Sequence, residues 1–91
     1  MLYALMAWDN AVALNVRMEN RPAHLAYLES TGVVRQAGPF IDADGNPCGS
    51  LIVLEVEDMA AAQTWADNDP YAKAGLFREV QISGWKQVIG G

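Results

Sequence analysis

The chain has 91 residues, enough for one domain that buries about 60 % of its unfolded surface. Six Lys and Arg stand against eleven Asp and Glu, and a net charge of −5 excludes the basic footprint of a nucleic-acid or anionic-membrane binder. The single cysteine, Cys48, makes no internal disulfide, so nothing points to an oxidising compartment.

Residues 2–8, Leu-Tyr-Ala-Leu-Met-Ala-Trp, are a continuous apolar run ended by Asp9-Asn10. The run lacks a basic leader and is far too short to cross a bilayer, so it reads as a strand buried on both faces in a soluble, cytoplasmic protein. Asp9 or Asn10 is expected to cap a helix over Ala11–Ser30. Pro22 falls inside that helix, where it removes a hydrogen bond at a cost of about 3 kcal/mol, so a kinked or two-part helix is expected. Gly32 ends it. Val33–Ile41 reads as a second strand whose Gly38-Pro39 confines it to an edge or a bulge. Residues 42–47, Asp-Ala-Asp-Gly-Asn-Pro, form a turn, and Gly49–Glu57 returns as a third strand, apolar on both faces in its middle. Asp58 caps a helix from Met59 to Asp67. Asn68-Asp69-Pro70 breaks it, Tyr71–Ala74 adds one turn closed by Gly75, and Leu76–Val88 is the last strand with a bulge at Gly84. The tail Gly90-Gly91 is expected to fray.

The order is βαββαβ, an α+β ferredoxin-like fold with a four-stranded antiparallel sheet and two helices on one face. Two strands are apolar on both sides, yet the helices cover only one. At 52 % apolar residues, with three Trp and four Met, the chain is rich in groups to hide. The simplest cover for the open face is the same face of a second copy, a two-fold homodimer.

Several chemical motifs fail on inspection. Asp42-x-Asp44-x-Asn46 begins like a calcium loop, but Pro47 stands where glycine is needed and Val53 where a bidentate Glu is needed. No phosphate-binding glycine loop or nucleophile elbow is present, and one His with one Cys does not build a typical zinc site. No cofactor is implied.

His24, the only histidine, lies in Arg17-x3-Arg21-Pro22-Ala23-His24-Leu25. On an unbroken helix Arg17, Arg21, His24 and Leu28 share one face. Taken alone, this is a polar helix face with a histidine satisfied by a carbonyl. A functional reading needs an orienting acid, and Asp69 is the candidate, standing beside a proline that stiffens its backbone. A carboxylate on one ring nitrogen fixes the tautomer and leaves the other nitrogen free for proton transfer. The alternative for Asp69 is local turn capping.

These segments together resemble the YciI-like family of the dimeric α/β-barrel (ferredoxin-like) superfamily. The resemblance is carried by the apolar first strand and by Arg17-x3-Arg21-Pro22-Ala23-His24-Leu25-Ala26-Tyr27-Leu28. It continues through Gly32, Ala37-Gly38-Pro39, the Asp44-Gly45 turn, Gly49-Ser50 and Asp69-Pro70-Tyr71-x2-Ala74-Gly75-Leu76. It implies a His–Asp active-site pair at His24 and Asp69 and a homodimer with paired sheets. It implies no single reaction, since relatives in the superfamily include muconolactone isomerases, dehydrochlorinases and cofactor-free monooxygenases.

The expectation is a small lyase- or isomerase-type enzyme acting by general acid–base catalysis on a small cyclic or aromatic molecule. His24 would move the proton and Asp69 orient it. Arg21 and Arg17 would hold a carboxylate or phenolate, and Ser50 and Tyr71 would line the pocket. The alternative is a non-catalytic domain that binds a small ligand in the same pocket. A monooxygenase built around Trp8, Trp65 and Trp85 is a third reading, against which those residues pack in the core or at a dimer interface.

Overall fold

The two most apolar strand segments take the two central places in the sheet. The computed structural model describes residues 1–90. Its elements are β1 (Leu2–Asp9), α1 (Leu14–Thr31), β2 (Val34–Ile41), β3 (Pro47–Glu55), α2 (Met59–Asp67), α3 (Pro70–Lys73) and β4 (Phe77–Trp85). All strands pair antiparallel in the order β2-β3-β1-β4, the ferredoxin-like arrangement with α3 as an added turn. β2, which carries Pro39, sits at an edge as a strand proline requires. Gly91 lies outside the described residues, and with it part of the tail expected to fray.

The register sorts β1 and β3 into two faces. Tyr3, Leu5 and Ala7 of β1 join Ile52 and Leu54 of β3 beneath Leu28 of α1 and Ala62, Trp65 and Ala66 of α2. The Tyr27 hydroxyl donates to the Trp65 carbonyl at 2.8 Å and the Trp65 indole N–H donates to Thr31 Oγ1 at 3.0 Å, so two half-buried hydrogen bonds lock α1 to α2. The alternate residues Ala4, Met6, Trp8, Leu51 and Val53 point the other way, where no helix lies. Trp8 stacks there on Phe40, ring centres 6.0 Å apart, across Gly49. A Cβ at Gly49 would run into the Ala7 carbonyl oxygen and crowd the Phe40 ring, so only glycine fits that crossing.

Four sequence expectations need correction. Neither Asp9 nor Asn10 caps α1, which starts at Leu14 behind Ala13 with no side-chain cap. Both side chains are engaged elsewhere: Asp9 binds Arg17, and the Asn10 amide donates to the carbonyls of Gly75 and Leu76. The loop between them is pinned on both sides, and fully exposed Val12 takes a left-handed backbone (φ 55°) that β-branched residues rarely adopt. Second, Pro22 does not divide α1, which runs unbroken to Gly32, a left-handed cap at φ 68°. Pro22 is exposed, so water can reach the Met18 carbonyl that it leaves without an amide, while Arg17, His24 and Leu28 bury one continuous face. Third, β4 shows no bulge at Gly84, which pairs with Tyr3 in regular register; the shift falls between Trp8 and Asp9, which pairs with Phe77 while its carboxylate binds Arg17. Fourth, β3 begins at Pro47 and ends at Glu55, and β4 ends at Trp85. Asp58 caps α2 as expected, accepting from the Ala61 amide at 2.8 Å. Among the described residues no helix is long and apolar enough to cross a membrane.

Replacing Gly49 by alanine should lower stability by about 1–3 kcal/mol, because the overpacked atom meets backbone rather than a flexible side chain. A urea midpoint equal to that of the native chain would show that β1 and β3 separate freely at that point.

Candidate active site

Asp69 is the N-cap of α3, with Pro70 in its first turn. Its Oδ1 accepts the Tyr71 amide at 2.9 Å and also lies 2.7 Å from His24 Nδ1. The acid therefore caps its own turn and binds the imidazole of α1 at the same time. Asp69 is 1 % exposed and His24 6 %, so the contact is dry. A carboxylate only accepts, so Nδ1 carries the proton and Nε2 is left as the free ring nitrogen. The Tyr71 ring stacks on the imidazole, centres 3.8 Å apart and planes at 13°, and holds its tilt.

Arg17, one side of the same helix face, is 4 % exposed. Its Nε and Nη2 donate to the two Asp9 oxygens at 2.7 and 2.8 Å, and Nη2 donates again to Ser50 Oγ at 3.0 Å. Its guanidinium carbon lies 4.8 Å from the centre of the Tyr71 ring. Burial works against the Arg17 charge, but the hydrogen bonds and charge of Asp9 outweigh it and hold its pKa above the ordinary arginine range. Burial also raises the Tyr71 phenol, against the opposing pull of Arg17 and Arg21, so Tyr71 stays a neutral donor. Ser50 Oγ accepts from an arginine that has no acceptor of its own, which leaves the serine hydroxyl proton free to turn elsewhere.

These groups surround a cavity of about 260 Å³ between α1 and the β2–β3 edge. α1 supplies Arg17, Met18, Arg21, His24, Leu25 and Leu28; β2 supplies Ala37, Gly38 and Pro39, whose small side chains leave the room; Ser50, Ile52 and Tyr71 close the floor. The volume lies just under the usual range for drug-sized ligands and suits a single ring. All six residues singled out from the sequence meet here: His24, Arg17, Arg21, Ser50 and Tyr71 line the cavity, and Asp69 stands behind His24. They differ in state. The charge of Arg17 is answered by Asp9, whereas Arg21 is exposed and has no carboxylate within ion-pair distance among the described residues. Asp9 was missed as a site residue from sequence, where it read as a strand end and candidate helix cap; its one signal was an acid closing an apolar strand shortly before a helical arginine. Trp8, Trp65 and Trp85 do not line this cavity: Trp65 packs on Tyr27 in the core and Trp8 on Phe40.

Residues 1–86 match the YCII-related domain. The chain belongs to that family. It is 40 % identical over 98 residues to protein YciI of Escherichia coli O6:H1, covering 98 % of this chain and all of that one. An uncharacterised protein of Haemophilus influenzae is 34 % identical over 99 residues, again covering 98 % of this chain and all of that one. Among solved structures, 5-chloro-2-hydroxyhydroquinone dehydrochlorinase (TftG) from Burkholderia phenoliruptrix AC1100, in complex with 2,5-dihydroxybenzoquinone, superposes with a TM-score of 0.90 at 34 % identity. The match covers 97 % of this chain and 96 % of TftG. This family member therefore has the fold of the dimeric α/β-barrel proteins.

Asp9→Asn should cost about 3–5 kcal/mol, because it leaves the buried Arg17 charge without its partner. The double change Asp9→Leu with Arg17→Met should recover most of that loss. Denaturant titration reads both; a loss under about 1 kcal/mol for the single variant would mean that water reaches Arg17 freely.

Proposed function

We propose that this chain is a small acid–base enzyme of lyase or isomerase type, acting on a small cyclic or aromatic molecule through His24 and Asp69. The observation that carries the reading is the dry 2.7 Å contact of Asp69 with His24 Nδ1 at the wall of a ring-sized cavity. Nε2 takes a proton from the substrate and returns it to carbon or to a leaving group. Asp69 fixes the tautomer and stabilises the imidazolium while it lasts. Ser50 and Tyr71 donate hydrogen bonds to substrate oxygen, Arg21 faces negative charge that develops there, and Arg17 holds Ser50 in place. The likeness to TftG, a dehydrochlorinase of a chlorinated hydroquinone captured with a dihydroxybenzoquinone, supports a hydroxylated ring as the substrate class. The steps described need only these side chains.

The reading includes a homodimer through the uncovered sheet face, where Met6, Trp8, Phe40 and Leu51 present apolar surface. It also places the protein in the cytoplasm, in keeping with an acidic chain and one cysteine, free of any disulfide among the described residues, whose thiol donates to the Phe40 carbonyl. A domain that merely stores or senses a ligand has no need of an oriented imidazole.

On a panel of hydroxylated and halogenated ring compounds, the native protein should release product. His24→Ala should lose about 10²–10⁴-fold in kcat while keeping its fold by circular dichroism. Turnover retained by a folded His24→Ala protein would remove the assignment, and a thermal shift with no product from any compound would favour the binding domain. Leu51→Glu, set in the middle of the open face, should give a folded monomer by sedimentation; an unchanged dimer would place the interface elsewhere.

A further inference from the structure

The cavity is open on one side. Met18 and Leu25 line it yet stay 53 % and 43 % exposed, and Ala37, Gly38 and Pro39 on the β2 edge are exposed as well. The chain has a second uncovered stretch. β4 stops at Trp85, and beyond it Val88 and Ile89 are 85 % and 91 % exposed, a short apolar run that nothing in its own chain covers. Two charges are left over at the same places. Glu29 lies in the last turn of α1, one helical turn after Leu25, where an acid meets the negative end of the helix dipole. Lys86 opens the tail. Both are exposed, and neither has an ion-pair partner among the described residues.

The topology holds tail and cavity apart within one chain and brings them together between two. β4 ends opposite Leu2, which pairs with Glu55, and β2 starts opposite Leu54. The end of β4 and the start of β2 thus share one end of the sheet but stand on its opposite edges, about 14 Å apart at the usual strand spacing. Trp85, in register with Leu2, belongs to the open face that carries Ala4, Met6 and Trp8, so the tail continues directly from that face. The inference rests on the homodimer reading of this face. A two-fold axis parallel to the strands sets β4 of one copy beside β2 of the other and keeps the strand directions. The partner's tail then leaves at the start of β2, next to the last turns of α1. An axis across the strands would instead set β4 beside β4 and leave each tail at the edge away from either cavity. Lys86–Ile89 spans at most about 14 Å, enough to round the β2 edge across a sheet spacing of about 10 Å.

We propose that the tail of each copy crosses to the other: Lys86 pairs with the partner's Glu29, and Val88 and Ile89 lie on the partner's Leu25 and close the open side of its cavity. Each cavity is then walled by two chains, and the apolar tail and the apolar cavity rim cover one another.

The test is disulfide trapping in a Cys48→Ser background, since Cys48 is the only cysteine. A chain with both Leu25→Cys and Ile89→Cys, mildly oxidised, should run at twice the chain mass on a denaturing gel without reductant, and each change alone should run at the single mass. A disulfide closed within one chain, or none in a protein that sediments as a dimer, overturns the inference and leaves the sheet-face dimer standing. A native chain that sediments as a monomer overturns both. Lys86→Glu should raise the dimer dissociation constant about fivefold, because each dimer holds the pair twice, and adding Glu29→Lys should restore the native value. An unchanged constant for Lys86→Glu, or no recovery in the double variant, overturns the crossing.

Discussion

A carboxylate taken out of water must find hydrogen-bond donors, and Asp69, 1 % exposed, finds two: the His24 ring and the Tyr71 amide. Much of the site hangs on that requirement. The amide bond closes the α3 turn, which brings the Tyr71 ring flat against the imidazole. The ring bond draws α1 against α3 and fixes which nitrogen faces the cavity. Had Asp69 only capped its turn, His24 would be free to rotate and the cavity would lack a defined proton acceptor.

A second buried pair has a different task. Arg17 with Asp9 and Ser50 ties the first turn of α1 to the end of β1 and the start of the β3 core. Burying such a pair is a weak source of stability, since desolvation of both ions offsets most of their attraction. Its value lies in placement: it holds the Ser50 oxygen and lays a cation beside the Tyr71 ring. The two arginines of α1 thus part company. One is locked into the framework, and the other is left in solvent with its charge unanswered.

The uncovered sheet face is the second unfinished surface. In a ferredoxin-like sheet with all helices on one side, the residues alternating with the core have no helix to cover them. Here they include Met6, Trp8, Phe40 and Leu51, and the Trp8–Phe40 stack over Gly49 is flat rather than broken by charge. The cavity opens on the other side of the same sheet edge, where Ala37, Gly38 and Pro39 are too small to fill the gap under α1.

Much of this was legible in the residue order. Apolar runs bounded by turn residues marked the strands, Asp58 and Gly32 marked helix ends, and Pro39 marked an edge, because each depends on local backbone chemistry. Arg17, Arg21, His24 and Leu28 fell on one helix face by spacing alone, provided the helix continued. That proviso was a tertiary matter. The cost of Pro22 is local, but the buried face of Arg17, His24 and Leu28 that outweighs it is made of contacts with distant strands and with α3. The same holds for the missing caps: Asp9 and Asn10 are good capping residues in isolation, yet Arg17 and the carbonyls of Gly75 and Leu76 claim them first. The sequence by itself determined the order of elements, the two-sided apolar strands and which residues were fit for proton chemistry. Only the tertiary structure decided that His24 meets Asp69 across 45 positions, that Arg17 is neutralised and that Arg21 is not, because a charge is set by whichever group lies beside it in space.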